Sequence, residues 1–171
     1  MLQSVVNINN DIQHFDRNNP YYNLIPVQEG DIHLIIRNKK FRIEIIKCYH
    51  TVPCVGYGFI EIRNKLKNEY TNLTQSDIGV LRKSGINVSH EVEHPTFCYL
   101  GDTSKDILND PKIQKYKNIM IECTFIDNTY VDQADKTLHM HWDYLKDYIQ
   151  NHQDITSILY HFSQRYKRSH I

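Results

Sequence analysis

The feature that most limits the fold is a group of short apolar segments between residues 32 and 62. IHLII (32–36), FRIEIIKCYH (41–50) and VGYGFIEI (55–62) follow one another there, and the second alternates apolar and polar residues with a period of two. Because alternate side chains of an extended chain lie on opposite faces, these segments predict three β-strands. The turn RNKK (37–40) joins the first two strands.

Three further apolar segments predict the rest of a sheet. They are TFCYLGD (96–102), KNIMIEC (117–123) and ITSILYHFS (155–163). The first ends in a Gly-Asp-Thr turn, the second ends next to an acidic residue, and the third contains a histidine after its apolar run.

Helical segments separate these strands. TQSDIGVLRKSG (74–85) predicts a helix with Thr74 as N-cap, one apolar face of Ile78, Val80 and Leu81, and an end at Gly85. TSKDILNDPKI predicts a short helix broken before its proline, and WDYLKDYIQN predicts a helix with one packed face. Strands and helices that alternate in one compact unit predict an α/β layer architecture.

The composition limits the size of the protein and its charge. A chain of 171 residues has room for one domain, which we expect at 24–171 behind a polar, Asn-rich arm at 1–23. Twenty basic residues balance twenty acidic residues, so binding to nucleic acid would need a local basic patch. We expect the four cysteines to be buried thiols, and without a signal or membrane segment we expect an intracellular, cytoplasmic protein.

Polar residues with metal-binding side chains lie at the ends of four predicted strands. These are His50, Asp102, Glu122 and His161. In layered α/β folds, polar groups at strand ends commonly form the functional site. Imidazole nitrogen and carboxylate oxygen are ligands that zinc accepts, although no HxHxDH or HExxH motif occurs in the sequence and spacing alone does not establish a metal site.

Six segments between residues 25 and 166 occur in the order seen in one known family. They are KCYHTVPCVGYGFIE, KLKNEYTNLTQSDIGVLRKSG, FCYLGDTS, MIECTFIDN, ADKTLHMHWDYL and ILYHFSQRY. Together they resemble the C-terminal half of the short-form tRNase Z (ribonuclease Z) family of the metallo-β-lactamase superfamily. HFSQRY is the most specific of the matches. This resemblance implies half of an αββα sandwich, built as a mixed β-sheet with flanking helices on one face and an uncovered apolar face on the other.

The resemblance also implies a role for each strand-end residue. His50 and His161 correspond to ligands of two different Zn²⁺ ions, and Asp102 corresponds to the carboxylate that bridges both. Glu122 and His139 correspond to the pair that relays a proton to the leaving 3′-oxygen. The family's activity is endonucleolytic removal of the 3′ trailer from precursor tRNA.

The HMH sequence offers two histidines for the proton relay. His139 is favoured by its position in the matched segment, and His141 is the alternative. Residues two apart share a face of a strand but diverge by about 200° on a helix, so we expect one of them alone to act.

The family motif HxHxDH does not occur in these residues, and His14-Phe15-Asp16 is not a substitute for it. With His50, Asp102 and His161 alone, each zinc would have at most two ligands, whereas tight sites usually have about four. We therefore expect the chain alone to be catalytically silent.

Three functional interpretations follow from this ligand count. In the first, the chain is half of a working enzyme that needs an N-terminal-half polypeptide. In the second, it is a non-catalytic remnant or a partner subunit. The third interpretation is another hydrolase of the metallo-β-lactamase fold. HFSQRY and the pair Glu122 and His139 favour the ribonuclease Z branch over that third interpretation. An uncovered sheet face also predicts a partner chain or a homo-oligomer.

Overall fold

Residues 25–36 and 39–167 are described by this computed structural model, and the predicted arm at 1–23 lies outside them. Within this part of the chain, six strands form one sheet in which their spatial order follows their order in sequence. The strands are β1 Ile32–Ile36, β2 Lys40–Cys48, β3 Cys54–Leu66, β4 Ser89–Tyr99, β5 Asn118–Glu122 and β6 Thr156–Tyr160.

The sheet is mixed. Strands β1 to β4 pair antiparallel, whereas β4 with β5 and β5 with β6 pair parallel. The predicted α/β class with a mixed sheet is therefore confirmed. Because the carboxyl ends of β4, β5 and β6 lie at one edge, the residues that follow these strands come together there.

Strand β4 begins seven residues earlier than TFCYLGD predicted, and β3 runs four residues further than predicted, as far as Leu66, which pairs with Ser89. The added part of β4, SHEVEHP (89–95), is mostly polar and has one aliphatic side chain, so it has no apolar alternation to reveal it. Its acids instead pair with basic side chains of β2, Lys40 with Glu91 and Arg42 with Glu93.

Four α-helices occur in the described residues: α1 Gln75–Lys83, α2 Pro111–Gln114, α3 Val131–Thr137 and α4 Trp142–Asn151. Short 3₁₀ turns precede α2 and α3. The helices predicted at 74–85 and 142–151 are confirmed, and the break before Pro111 is the start of α2. None of these helices is long and apolar enough to cross a membrane.

Helix α1 has the predicted ends but not the predicted packing. Thr74 forms a capping box with Asp77, and Gly85 takes φ +81° just after the helix. No residue of α1 is buried, and Val80 is 60% exposed. The apolar face predicted for this helix is therefore not part of the core.

The core lies on one face of the sheet. Helix α4 contributes Leu145 and Tyr148 to it, α2 contributes Ile113, and the segments before them contribute Ile107 and Met140. The strand residues in the core are Ile46, Cys48, Ile60, Cys98, Ile119 and Ile121, whose alternation and register place them on a single face. Leu100, which directly follows β4, also belongs to the core.

The opposite face carries an apolar row that runs across the sheet. Register pairing places its members side by side, and none belongs to the buried core cluster. Most of these side chains are half-buried, and Ile158 is exposed. We call them the apolar row: Ile43, Tyr57, Phe59, Phe97, Tyr99, Met120 and Ile158. Self-association through this face stays a prediction.

Replacing Gly58 with alanine is expected to destabilise the fold by about 1–3 kcal/mol, the usual cost of overpacking a core. A Cβ there would lie 2.0 Å from the hydroxyl oxygen of Tyr116, which is fully buried and donates a hydrogen bond to Glu44. The matched control is Gly79→Ala in α1, where a Cβ meets nothing within 4 Å. It should stabilise the helix by about 0.5–1 kcal/mol. Urea unfolding of both variants checks this, and equal midpoints would contradict it.

Candidate metal centre

Glu122, the last residue of β5, is the most enclosed acidic group of the candidate site. Its side chain is fully buried and accepts hydrogen bonds from the backbone N–H groups of Thr103 (2.8 Å) and Met140 (3.2 Å). It also accepts from the Thr124 hydroxyl and from Nδ1 of His139, at 2.8 Å. A buried carboxylate needs such partners, and here each oxygen has two.

Asp102 and His161 lie beside this carboxylate. Asp102 is in the loop after β4, His161 directly follows β6, and His161 Nδ1 lies 3.5 Å from Asp102 Oδ1. One ligand atom each from Asp102, Glu122, His139 and His161 lies within 4.8 Å of all the others. These four side chains are suitably placed to hold a metal ion.

His50 approaches the same place from the loop after β2. Its ring centroid lies 4.6 Å from that of His139, but His50 is outside the four-residue group. Nδ1 of His50 donates to the carbonyl of Leu138 at 3.1 Å. A hydrogen bond of this kind fixes the tautomer of a metal-binding histidine and leaves Nε2 with its lone pair.

Two residues at the site have backbone φ angles in the left-handed region. They are Leu138 at 54° and His161 at 60°. Such angles are uncommon for residues other than glycine and are often found at functional sites. Leu138 ends α3 and accepts the hydrogen bond from His50, so its conformation directs both His50 and the adjacent His139.

His141 has a structural position instead. It is fully buried, caps the N-terminus of α4 by accepting from the Asp143 N–H through Nδ1, and donates from Nε2 to the Asp127 carbonyl. Both ring nitrogens are therefore occupied away from the site. Of the two histidines in HMH, His139 is the one whose ring contacts Glu122.

Two threonines of the site were missed by sequence reasoning. Besides donating to Glu122, the Thr124 hydroxyl lies 3.0 Å from Nδ1 of His161. The backbone N–H of Thr103 donates to Glu122, and its hydroxyl oxygen accepts from the Tyr49 N–H at 2.9 Å. The second bond connects the residue before His50 to the site. The sequence did contain a signal for them, because each threonine directly follows a predicted strand segment that ends in a site residue. Threonine is common near turns, however, so this signal did not single them out.

The HFSQRY segment fixes the chain after His161. Tyr166 accepts the Ile126 N–H through its hydroxyl at 2.9 Å, and the guanidinium of Arg165 lies 4.1 Å from the ring centroid of Tyr130. Ser163 donates its backbone N–H to the Thr124 carbonyl. These contacts hold the segment after β6 against the segment after β5.

Neighbouring groups stay protonated near neutral pH. Burial, followed by the negative charge of Glu122, raises the pKa of the Cys123 thiol to about 12. Burial, followed by the hydrogen bond with Tyr99, raises the pKa of Tyr160.

Curated relatives share sequence with most of the chain, although no protein-family model matches it. The chain is 29% identical over 149 residues to the tRNase Z TRZ1 of Arabidopsis thaliana, which covers 85% of this chain and 52% of that protein. It is 30% identical over 155 residues to the ribonuclease Z of Borrelia hermsii, which covers 78% of this chain and 47% of that protein.

The chain is a relative of the tRNase Z proteins. It spans about half the length of the curated tRNase Z relatives it matches. The crystal structure of the short form of human tRNase Z aligns with 96% of this chain and 59% of that chain, with a TM-score of 0.53 and 16% identity. This likeness shows the fold, and the predicted C-terminal half of the metallo-β-lactamase sandwich is confirmed.

Proposed function

We propose that this chain supplies part of a zinc-dependent endoribonuclease that removes the 3′ trailer from precursor tRNA. The observation that carries the proposal is the buried Glu122 carboxylate, hydrogen-bonded to His139 beside Asp102 and His161. A site that combines metal-binding groups with a paired carboxylate and imidazole suits hydrolysis of a phosphodiester. The relatives are named tRNase Z and ribonuclease Z.

The residues proposed to hold zinc are His50, Asp102 and His161. Their imidazole nitrogens and carboxylate oxygens fit a borderline-soft cation. Nε2 of His50, which has a long 3.4 Å contact with the Thr51 hydroxyl, is a suitable ligand atom. When bound, a pair of zinc ions supplies Lewis acidity and an activated water. A carboxylate such as Asp102 has two oxygens and so could serve both metal positions.

Glu122 and His139 are proposed to deliver the proton to the departing 3′-oxygen. The carboxylate accepts from Nδ1 of His139, so it orients the ring and stabilises its protonated form. Nε2 is then the nitrogen that gives up a proton. The two backbone N–H groups on Glu122 hold this carboxylate in place while the proton moves.

The remaining ligands are proposed to come from another polypeptide segment, either joined to this one or separate. These 171 residues contain no HxHxDH motif, and the three proposed ligands leave two zinc ions short of the usual number of about four each. The half-buried apolar row gives such a segment a surface to pack on, since apolar area removed from water stabilises association.

Cleavage of a 3′-extended precursor tRNA tests the proposal. The purified 171-residue chain with zinc should give no product, and adding a polypeptide that supplies an HxHxDH half should restore cleavage at the 3′ end of the tRNA body. The control is the added polypeptide alone, which should also be inactive. Failure of several competent complementing halves to restore cleavage, with binding between the chains verified, would favour the non-catalytic remnant or partner subunit. Cleavage of a different phosphodiester or ester would favour another hydrolase of this fold.

A further inference from the structure

Two cysteines face each other where β2 and β3 meet. Cys48 is the last residue of β2, Cys54 is the first of β3, and the two are register partners in the antiparallel pairing. Residues that pair in this way point to the same face of the sheet. The five residues between them, 49–53, form the loop that carries His50.

The separation of the paired positions suits a disulfide. Cα atoms of directly opposed residues in antiparallel strands lie about 4.5–5.5 Å apart, inside the range of about 4.4–6.8 Å that disulfides span. The sulfur of Cys54 packs over Gly101, where an added Cβ would lie 2.5 Å from it. This contact joins the pair to the residue before Asp102.

One of the two cysteines is partly exposed beside a cavity. Both cysteines line an open cavity of about 560 Å³ that is also bordered by His50 and Tyr57. Cys48 is buried, whereas Cys54 is partly exposed. The other two cysteines, Cys98 and Cys123, are fully buried and are not among the described residues that line this cavity.

We propose that Cys48 and Cys54 form a reversible disulfide by exchange with a low-molecular-weight disulfide. In the first step the sulfur of Cys54 attacks the small disulfide, whose S–S bond breaks and releases one small thiol. In the second step the sulfur of Cys48 attacks the sulfur of Cys54 in the mixed disulfide and releases the second small thiol. Two protein thiols are oxidised and one small disulfide is reduced to two thiols, which take up the two protons.

The disulfide would close the loop 49–53 into a covalent ring. His50 lies in that loop, so the disulfide would restrict how far His50 can move from the ends of β2 and β3, whether or not a metal is bound. The modification therefore acts on the geometry of the loop and does not depend on the proposed ribonuclease activity.

Thiol counting and peptide mapping of the native chain test this inference. Because Cys48 is buried and Cys54 is only partly exposed, exchange should be slow, so incubation with oxidised glutathione is followed to its end point. Two of the four thiols should be lost without a retained adduct. The tryptic peptide from Cys48 to Arg63, which contains both residues, should become two hydrogens lighter, and dithiothreitol should reverse the change.

Single variants distinguish the pair from general oxidation. Cys48→Ser should trap a glutathione adduct on Cys54, and Cys54→Ser should keep its three thiols. Circular dichroism verifies that both variants fold, and the mapping of the wild-type chain stands by itself if one does not. The inference is overturned if the native chain keeps all four thiols, if it ends with a stable adduct on Cys54, or if Cys98 or Cys123 is oxidised instead.

Discussion

Replacing Asp102 with alanine in the complemented enzyme is expected to abolish precursor tRNA cleavage and to lower the zinc content of both metal positions together. Asp102 is the acidic group closest to the His161 ring, at 3.5 Å, and the proposal assigns its two oxygens to two ions. Losing a shared ligand should weaken the binding of both ions. Gel assays of cleavage and metal analysis of the purified complex measure the two effects.

The matched control for this change is Asp147→Ala. Asp147 is an exposed carboxylate in the middle of α4, away from the strand ends, so its loss should leave cleavage and zinc content unchanged. If Asp102→Ala kept full zinc content and activity, the assignment of Asp102 as a bridging ligand would be wrong. Comparing thermal stability of the two variants separates loss of a ligand from loss of the fold.

Replacing His139 with alanine is expected to slow cleavage by about 100- to 10,000-fold while the zinc content stays the same. General acid catalysis typically contributes a factor of this size. His139 is proposed to act through Nε2, with Nδ1 held by Glu122 at 2.8 Å. Single-turnover rates and metal analysis on the same preparation provide the test.

His141→Asn is the control that HMH itself offers. Asparagine is a favoured N-cap residue, so α4 should keep its cap while the second histidine is removed. The variant loses the bond from Nε2 to the Asp127 carbonyl and should be less stable, but where it stays folded it should cleave at the rate of the unmodified enzyme. Loss of zinc from His139→Ala would instead identify His139 as a ligand, a role that its position in the four-residue group also allows.

The strands and the placement of the site could be predicted from sequence because they depend on local pattern. Alternation in FRIEIIKCYH predicted β2, and short apolar runs predicted β5 and β6, whose ends carry Glu122 and His161. Since polar groups at strand ends of layered α/β folds commonly form the functional site, residues far apart in sequence were expected to meet. The structure brings Asp102, Glu122, His139 and His161 together there.

Features that depend on three-dimensional packing could not be predicted in this way. The polar start of β4 is held by two glutamates that pair with basic groups of β2 across β3, which no local pattern encodes. The left-handed backbone at His161 and the hydroxyl of Thr124 between Glu122 and His161 are likewise properties of the assembled site. Helix α1 has correct capping signals, yet none of its apolar residues is buried.

Strands β4 and β5 share the shortest pairing in the described sheet, with two register pairs against ten between β3 and β4. We call this boundary between β4 and β5 the seam. The candidate site straddles this seam. His50 and Asp102 come from its antiparallel side, whereas Glu122 and His161 come from its parallel side. Any ion or substrate that contacts both sides must favour the state in which the seam is closed, so ligand affinity and the mechanical cohesion of the two halves of the sheet are thermodynamically linked.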